Sequence, residues 1–362
     1  MKIDRIETTL YQVPLSTPIQ AASTSVMRAF DMILVRVVDS DGATGVGYTV
    51  LHAGQGGAIA TMVEKSFVPL VSGDDPRCIE AIWKKVWRTH HYVGRGGVVS
   101  FALAALDTAL WDLRGRTLNE PLWRLLGGHQ ANVRAYAGNI DLNFPIEQLL
   151  DGATRSREAE FESIKMRLGK PTLSEDVSRV AAMRKHLGDD IELMADANEA
   201  WRTDQAVRAF RALAEFNLVW IEEPIRPDDY TGYAHLRSQG LVPIAAGENL
   251  HTVAEFASLI TAGGVDFPEP DLTTCGGITP WMKVAHLADA HGLPVTSHGV
   301  HELHVHLLAA VPNAAYLEFH GFGLDDYMAD KLVVKGGRAT APNRPGHGID
   351  FDFDRLAAHR VD

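Results

Sequence analysis

The first third of the chain combines alternating and helix-like patterns of hydrophobic residues. Alternation over Arg5–Tyr11 and Met32–Val38 predicts two strands, and the polar turn at residues 39–42 predicts a hairpin connection after the second. Apolar residues then recur at helical spacing, which predicts helices over Ala58–Leu70, Cys78–His90 and Ser100–Gly115. We interpret residues 1–125 as an α+β module.

From Val133 onward, short apolar runs alternate with amphipathic segments. The eight strand candidates cover Val133–Ile140, Phe161–Leu168, Ile191–Asn198, Leu218–Pro224, Val242–Asn249, Val265–Asp271, Pro294–Gly299 and Tyr316–Gly321. Helix-period segments between them cover Glu175–Leu187, Asp204–Phe216, Val253–Ala262 and Thr279–His291. This alternation predicts an α/β fold with a parallel sheet, and eight strands predict a closed (β/α)8 TIM barrel over residues 126–321. A doubly wound open sheet is the alternative, but it normally carries a glycine-rich phosphate turn that this sequence lacks. We expect residues 322–362 to return to the N-terminal module.

The composition narrows the range of partners. The 362 residues include 34 Lys and Arg against 46 Asp and Glu, a net charge of −12, which disfavours nucleic acid and a polybasic membrane surface. The two cysteines, Cys78 and Cys275, cannot form a disulfide framework. The first residues lack the apolar core of a signal peptide, and no run approaches the ~20 apolar residues that span a bilayer. We therefore expect a soluble cytoplasmic protein with no nucleic-acid or membrane partner.

Charged and polar residues fall at or near the carboxyl ends of seven predicted barrel strands, about one βα unit apart. They are Lys165, Arg167, Asp196, Asn198, Glu222, Glu248, Asp271, His298 and Glu318. A single Asp at a strand end is commonly a helix cap, but capping does not explain several carboxylates together with Lys, Arg and His in one register. Because parallel strands end at one mouth of a barrel, we expect these groups to form a ring there, where barrel enzymes place their chemistry.

Three of these residues, Asp196, Glu222 and Glu248, would repel one another unless a cation lay between them. Oxygen ligands without Cys or His favour Mg²⁺, with Mn²⁺ also possible. Such an ion leaves positions for a small-molecule carboxylate substrate and raises the acidity of its α C–H bond.

Proton abstraction also requires a base, and the ring offers two candidates on different strands. One is the pair Lys165 and Arg167, and the other is His298, whose tautomer and basicity Asp271 could set. Glu318 could donate a hydrogen bond to the substrate carboxylate only if it were protonated, which requires a raised pKa.

In this order and spacing, the motifs resemble the enolase superfamily, and specifically its mandelate racemase subgroup. The motifs are Lys165-x-Arg167, Asp196-x-Asn198, Trp220-Ile221-Glu222-Glu223-Pro224, Gly247-Glu248-Asn249, Pro270-Asp271-Leu272, Cys275-Gly276-Gly277-Ile278-Thr279, Ser297-His298 and Leu317-Glu318. The resemblance covers the whole chain and implies a modified barrel of the (β/α)7β type, with an N-terminal α+β capping domain completed by the C-terminal segment. A weaker similarity, at Tyr92–Gly97 and His301–Leu307, points to galactarate/talarate dehydratases.

The resemblance also implies roles for individual residues. Asp196, Glu222 and Glu248 would bind Mg²⁺, the His298–Asp271 pair would be an acid/base, and Glu318 would donate to the enediolate. Two mobile capping loops, Thr17–Arg28 and Tyr48–Gly57, would select the substrate, with Arg28 and His52 as contacts. Members of the family are commonly homo-oligomers.

Two departures from the family pattern shape the functional prediction. The family usually has Lys-x-Lys on the second barrel strand, and here the second position is Arg167, a poor base at neutral pH. One-base chemistry survives, so we predict a lyase, an acid-sugar dehydratase forming a 2-keto-3-deoxy acid, in which Lys165, Arg167 and Asn198 hold the substrate and stabilise charge. The alternatives are a racemase, epimerase or cycloisomerase, and a non-catalytic binding protein. The second departure is Glu269, an added acid where Gln is frequent, which we expect to face solvent.

Overall fold

The computed structural model describes residues 1–320 and 323–361, and the described part contains an antiparallel sheet and a larger, mostly parallel one. The strands are β1 Ile3–Ile19, β2 Met27–Asp39, β3 Thr44–His52, β4 Asn132–Gly138, β5 Ser163–Arg167, β6 Glu192–Asp196, β7 Leu218–Glu222, β8 Ile244–Ala246, β9 Phe267–Pro268, β10 Leu317–Phe319, β11 Val334–Lys335, β12 Arg338–Thr340 and β13 Arg360–Val361. The α-helices are α1 Gly56–Met62, α2 Val68–Val71, α3 Ile79–His90, α4 Val98–Leu118, α5 Leu122–Leu125, α6 Ile146–Glu158, α7 Leu173–Leu187, α8 Thr203–Leu213, α9 Tyr230–Ser238, α10 Val253–Thr261, α11 Ile278–Ala290, α12 His301–Ala310 and α13 Phe353–Ala357. A π-helical turn, Val63–Phe67, joins α1 to α2.

The antiparallel sheet has the order β13-β1-β2-β3, so the C-terminal strand completes the N-terminal sheet. Helix α4 packs on this sheet and is buried over most of its length. Gly45 and Gly47 on β3 permit this close packing, because a Cβ atom at either would lie 2.2 to 2.3 Å from backbone oxygens of α4. The predicted capping module is therefore a sheet with a buried helix, and its predicted limits at residues 125 and 322 stay predictions.

The parallel strands β4 to β9 follow one another in the second sheet, and β10 returns to pair with β4. Backbone bonds link the remaining gap: Thr296 N donates to Pro268 O at 3.0 Å, and Ala315 N donates to Val295 O at 2.8 Å. The curled sheet is thus the modified barrel that the sequence predicts. The strand expected over Pro294–Gly299 is wrong in extent, because the structure has only a bridge at Val295 there and the backbone bonds to its neighbours do not extend into a ladder. Gly321, the last residue of the eighth predicted strand, lies outside the described residues.

Aromatic side chains fill the barrel interior below the catalytic mouth. The rings of Tyr136, Trp220 and Tyr316 meet edge to face with centroids 5.4 to 6.4 Å apart. This buried aromatic layer packs directly beneath the polar residues of the mouth. None of the helices in residues 1–320 and 323–361 has the length and apolar character needed to cross a membrane.

The predicted capping loops are shorter than expected, because strand pairing continues into both. Thr17–Ile19 belongs to β1 and residues 27–28 to β2, with Ile19 opposite Met27. In the second segment, β3 continues to His52, which lies opposite Phe30. The irregular parts are thus residues 20–26 and 53–55.

Candidate active site

The barrel strands bring the predicted polar residues to one level. Arg167 at the end of β5 lies opposite Asp196 on β6, and Asp196 lies opposite Glu222 on β7. Glu248 follows β8 by two residues, and Asp271 follows β9 by three. All of these side chains are buried or nearly so, and they surround the mouth of the barrel.

Three carboxylates in this ring have the arrangement of a cation site. Asp196, Glu222 and Glu248 each offer an oxygen, and these oxygens lie within 4.8 Å of one another. Hard oxygen donors from three rigid strand ends fit Mg²⁺ or Mn²⁺ better than Zn²⁺. Buried carboxylates this close repel one another, so a divalent cation would stabilise the arrangement.

Lys165 is fully buried among acidic side chains. Its Nζ lies 2.7 Å from Glu222 Oε1, 2.6 Å from Glu318 Oε1 and 3.5 Å from Asp196 Oδ2. Burial favours the neutral amine, but Glu222 and Glu318 outweigh it and raise the pKa of Lys165. Lys165 is therefore a fixed positive charge beneath the mouth.

Arg167 connects the carboxylate cluster to the cavity above it. Its guanidinium contacts Asp196 and donates to Asn198 Oδ1 at 2.8 Å, and its Nε donates to Asn139 O at 3.1 Å. Asn198 in turn lies 3.5 Å from Glu248 Oε1 through its Nδ2. Arg167 is thus held by partners on three sides, which suits a charge that orients an anion.

His298 lies between two carboxylates and faces the cavity with 16% of its side chain exposed. Its Nδ1 is 2.9 Å from Asp271 Oδ2, and its Nε2 is 2.8 Å from Glu248 Oε2. Thr273 fixes Asp271 by donating both N–H and O–H to Oδ1 at 2.7 Å. Burial opposes protonation, but Glu248 and Asp271 together raise the pKa of His298 well above its usual range. Asp271 holds Nδ1, so proton transfer to a substrate would use Nε2, which contacts Glu248 Oε2 in this structure.

Glu318 differs from the expectation of a raised pKa. It accepts Gly299 N at 2.8 Å on Oε2, while Lys165 contacts Oε1. Burial alone would raise the pKa of Glu318, but the adjacent Lys165 holds it well below its usual range. Glu318 is therefore an ionised partner of Lys165 in this arrangement, and the expectation of a protonated donor is not met.

Glu269 was expected to face solvent, and this expectation is wrong. Its side chain is fully buried inside the barrel, where Tyr136 Oη donates to Oε1 at 3.1 Å. Oε2 has no hydrogen-bond partner among the described residues. Burial raises the pKa of Glu269 well above its usual range, and neighbouring Glu222 adds to the effect. The physical reason for the error is strand alternation, since Glu269 and Asp271 are two residues apart and point to the same side.

A cavity of about 290 Å³ opens between the barrel mouth and the antiparallel sheet. The barrel residues that line it include Arg167, Asn198, Glu248, Asp271 and His298. The capping residues that line it include Thr24, Met27, Phe30, His52 and Gln55. Arg28 is exposed and does not line this cavity, so the structure brings His52 but not Arg28 to the predicted site. A cavity of this size accommodates a small polyol acid.

Other lining residues were missed by the sequence analysis. They are Gln55, Phe101, His251 and His320. His320 had a usable signal, because it follows Glu318 by two residues and so shares its side of the strand. The other three come from loops and from α4. Hydrophobic periodicity within one segment does not show that such residues meet where the capping sheet packs against the barrel.

Comparisons with known proteins agree with this architecture. Residues 5–127 match the family model of the mandelate racemase/muconate lactonizing enzyme N-terminal domain, and residues 148–355 match the enolase C-terminal domain-like model. The chain is 49% identical over 354 residues to a 3,6-anhydro-alpha-L-galactonate cycloisomerase of Streptomyces coelicolor, covering 98% of each chain.

Solved structures of related proteins have the same fold as this chain. A racemase from Streptomyces coelicolor A3(2) with bound magnesium superimposes with a TM-score of 0.97 at 47% identity, over 99% of this chain and 100% of that one. An L-talarate dehydratase from Polaromonas sp. JS666, complexed with Mg and L-glucarate, has a TM-score of 0.94 at 35% identity, over 100% of this chain and 98% of that one.

Proposed function

Because this chain belongs to the enolase superfamily, in its mandelate racemase/muconate lactonizing enzyme subgroup, we propose that it opens the ring of an anhydro sugar acid by one-base β-elimination. The proposed substrate class is the 3,6-anhydro-aldonates, for which a relative 49% identical to this chain is named. The reaction would be an isomerisation, since the leaving oxygen stays attached to the product.

The bond changes balance without a second reactant. His298 takes the proton from C2, the carbon α to the carboxylate, and the C3–O bond of the anhydro bridge breaks. The imidazolium of His298 can return its proton to the bridge oxygen, which becomes the C6 hydroxyl. The enol formed at C2–C3 then gains a proton at C3 and loses the proton of its C2 hydroxyl, which gives a 2-keto-3-deoxy acid.

The other residues bind and orient. Arg167 and Asn198 would hold carboxylate or hydroxyl oxygens of the substrate, and Asp271 would keep the reactive nitrogen of His298 towards C2. Lys165 and Glu318 would place fixed charges under the reacting end. Asp196, Glu222 and Glu248 would hold Mg²⁺, which supplies positive charge to a substrate carboxylate when bound.

The observation that supports one-base chemistry best is the difference between the two sides of the mouth. His298 is backed by Asp271 and faces the cavity, whereas Arg167 occupies the position where the family usually has its second base. Guanidinium groups stay protonated at neutral pH, so racemisation with a base on each face is disfavoured. Elimination needs only one base.

Dehydration of an open-chain acid sugar is the second candidate. The same proton abstraction would then expel a C3 hydroxyl as water. The 35% identity to an L-talarate dehydratase complexed with L-glucarate favours this reading. Homo-oligomer formation and a cytoplasmic location stay predictions.

Proton NMR in D₂O with Mg²⁺ tests both candidates, using 3,6-anhydro-L-galactonate, L-glucarate, galactarate and L-talarate. A new C3 methylene signal with a product isomeric with the anhydro acid is the expected result, and mass spectrometry checks the isomerism. A product one water lighter than an aldarate would instead establish dehydration. Loss of the α-proton signal without a methylene would overturn both in favour of racemisation or epimerisation. Wild-type protein that converts no acid while binding Mg²⁺ would favour a non-catalytic protein.

A further inference from the structure

Asp31 is a buried carboxylate outside the catalytic ring that the proposed reaction does not use. It lies on β2 with 2% exposure, next to the start of α1. Its Oδ2 accepts three successive backbone amides: Gly54 N at 2.8 Å, Gln55 N at 3.0 Å and Gly56 N at 2.8 Å. Its Oδ1 accepts Gln12 Nε2 at 3.2 Å. Bonds from N–H groups to an ionised acceptor are among the stronger hydrogen bonds in proteins.

The chain around these amides is fitted to the carboxylate. A Cβ atom at Gly56 would lie 2.4 Å from Leu10 Cδ1 and 3.1 Å from Asp31 Oδ2, so a larger residue here would have to displace the end of the Leu10 side chain and crowd the carboxylate. Gly54 has a φ of +88°, which glycine adopts without strain. The negative charge also lies at the positive end of the helix dipole of α1. This short stretch therefore has one defined conformation.

The anchored stretch includes cavity residues. Gln55 donates one of the three bonded amides, and its side chain lines the cavity together with that of His52, three positions earlier. The other capping segment, residues 20–26, differs. Its side-chain hydrogen bonds, within the part of the chain that the structure describes, join Ala21, Thr24 and Gln20 to one another. Residues 54–56 are thus hydrogen-bonded to the sheet through Asp31, whereas the side-chain hydrogen bonds of residues 20–26 lie within that segment.

We propose that Asp31 is a positioning residue that fixes the backbone of residues 54–56 and so holds Gln55 beside His52, as a preformed wall for the part of the substrate remote from its carboxylate. The inference rests on the proposed function, since the catalytic ring takes the carboxylate end and leaves the sugar's hydroxyl-bearing end to the capping side. Pre-forming this wall lowers the entropy lost when the substrate binds. Asp31 would thereby influence KM and substrate choice without touching the reacting atoms.

The test compares D31N with a matched control, D39N. Asp39 lies at the other end of β2, is 2% exposed, and likewise accepts two backbone amides, those of Asp41 and Ala43, at 2.9 Å. G56A provides a second variant, because it displaces the same loop without altering the Asp31 charge. The first measurement is amide hydrogen exchange by mass spectrometry over residues 52–58 of the resting protein. The second is kcat and KM for whichever sugar acid the wild type converts.

We expect D31N and G56A to speed exchange over residues 52–58 by about tenfold or more. The variants weaken the hydrogen bonds between Asp31 and these amides, so the stretch opens more easily. We also expect KM to rise about tenfold while kcat changes less than about twofold, whereas D39N leaves both constants unchanged. Unchanged exchange in D31N would overturn the anchor. Faster exchange with an unchanged KM would overturn the role in substrate binding. If the wild type converts none of the acids, the proposed function fails separately, and the exchange measurement still decides the anchor.

Discussion

Two side chains near the barrel mouth, Lys165 and His298, both contact carboxylates but differ in their exposure to the cavity. Lys165 is 0% exposed and lies against Glu222 and Glu318, below the cavity. His298 is 16% exposed, lines the cavity, and has Asp271 behind its Nδ1. We therefore expect Lys165 to act as an internal counter-charge and His298 to exchange a proton with a substrate.

The difference shows that exposure and the direction of the supporting carboxylate decide which group can exchange a proton. Carboxylates surround the ammonium of Lys165 and strengthen its hold on its proton. His298 also contacts two carboxylates, Asp271 at Nδ1 and Glu248 at Nε2, but it lines the cavity. The family position for a second base is occupied by Arg167, so we expect the proton chemistry to be one-sided.

The largest expected effect comes from removing the base. H298N should lower kcat by about ten-thousand-fold, at the upper end of what general acid–base catalysis contributes, and should abolish exchange of the substrate α-proton in D₂O. Proton NMR checks both. H235N, which changes an exposed histidine on α9, is the matched control and should keep the wild-type rate. Retained α-proton exchange in H298N would show that another group is the base.

Removing the internal counter-charge should act on stability. K165M leaves Glu222 and Glu318 buried without their cation, and we expect a loss of about 3 to 5 kcal/mol in the free energy of unfolding without Mg²⁺. Added Mg²⁺ should then raise Tm more in K165M than in the wild type, because the site has become more negative. Thermal unfolding with and without Mg²⁺ measures this. K283M, at an exposed pair with Glu80, should cost less than about 1 kcal/mol. Equal Mg²⁺ shifts in K165M and wild type would contradict the counter-charge role.

A smaller effect is expected from making the two sides alike. R167K loses the fork that contacts Asp196 and Asn198, and should lower kcat for elimination about tenfold. It also places an amine opposite His298, so the C2 epimer of the substrate should begin to exchange its α-proton in D₂O. R134K, at an exposed pair with Glu192, is the control and should do neither. Exchange of both epimers already in the wild type would refute the one-sided model.

The ring of polar residues at the barrel mouth was predictable because two rules of geometry act on the sequence alone. Residues two apart on a strand share a side, and parallel strands end at one mouth, so Lys165, Asp196, Glu222 and His298 had to meet. Asp31 and Gln55 could not be found in this way. Their positions depend on how the antiparallel sheet packs over the barrel, and no periodicity within one segment encodes that packing.

Two errors had local causes. The segment Pro294–Gly299 was predicted as a strand from its hydrophobicity, but its backbone meets its neighbours through isolated bonds, such as Val295 N to Asn313 O and Thr296 N to Pro268 O, rather than through a ladder. Glu269 was placed in solvent because a charged residue is rarely buried, although its spacing from Asp271 pointed inward. Its Tyr136 bond lies in the aromatic layer under Lys165, whose Nζ is 5.4 Å from the centre of the Tyr136 ring.

The smallest expected effect on activity comes from changing Glu269, a third buried ionisable group beside Lys165. We expect Glu269 to be neutral in the folded protein because burial raises its pKa, so E269Q should change kcat by less than about twofold. The native state binds this proton more tightly than the unfolded chain, so its contribution to stability is complete below the ordinary glutamate pKa and is lost as pH rises towards the raised one. Between those values, wild-type stability should fall relative to E269Q by about 1.4 kcal/mol per pH unit. Urea unfolding of both proteins between about pH 5 and pH 8, where proteins are usually most stable, measures the difference. A constant difference across this range would mean that Glu269 is ionised beside Lys165.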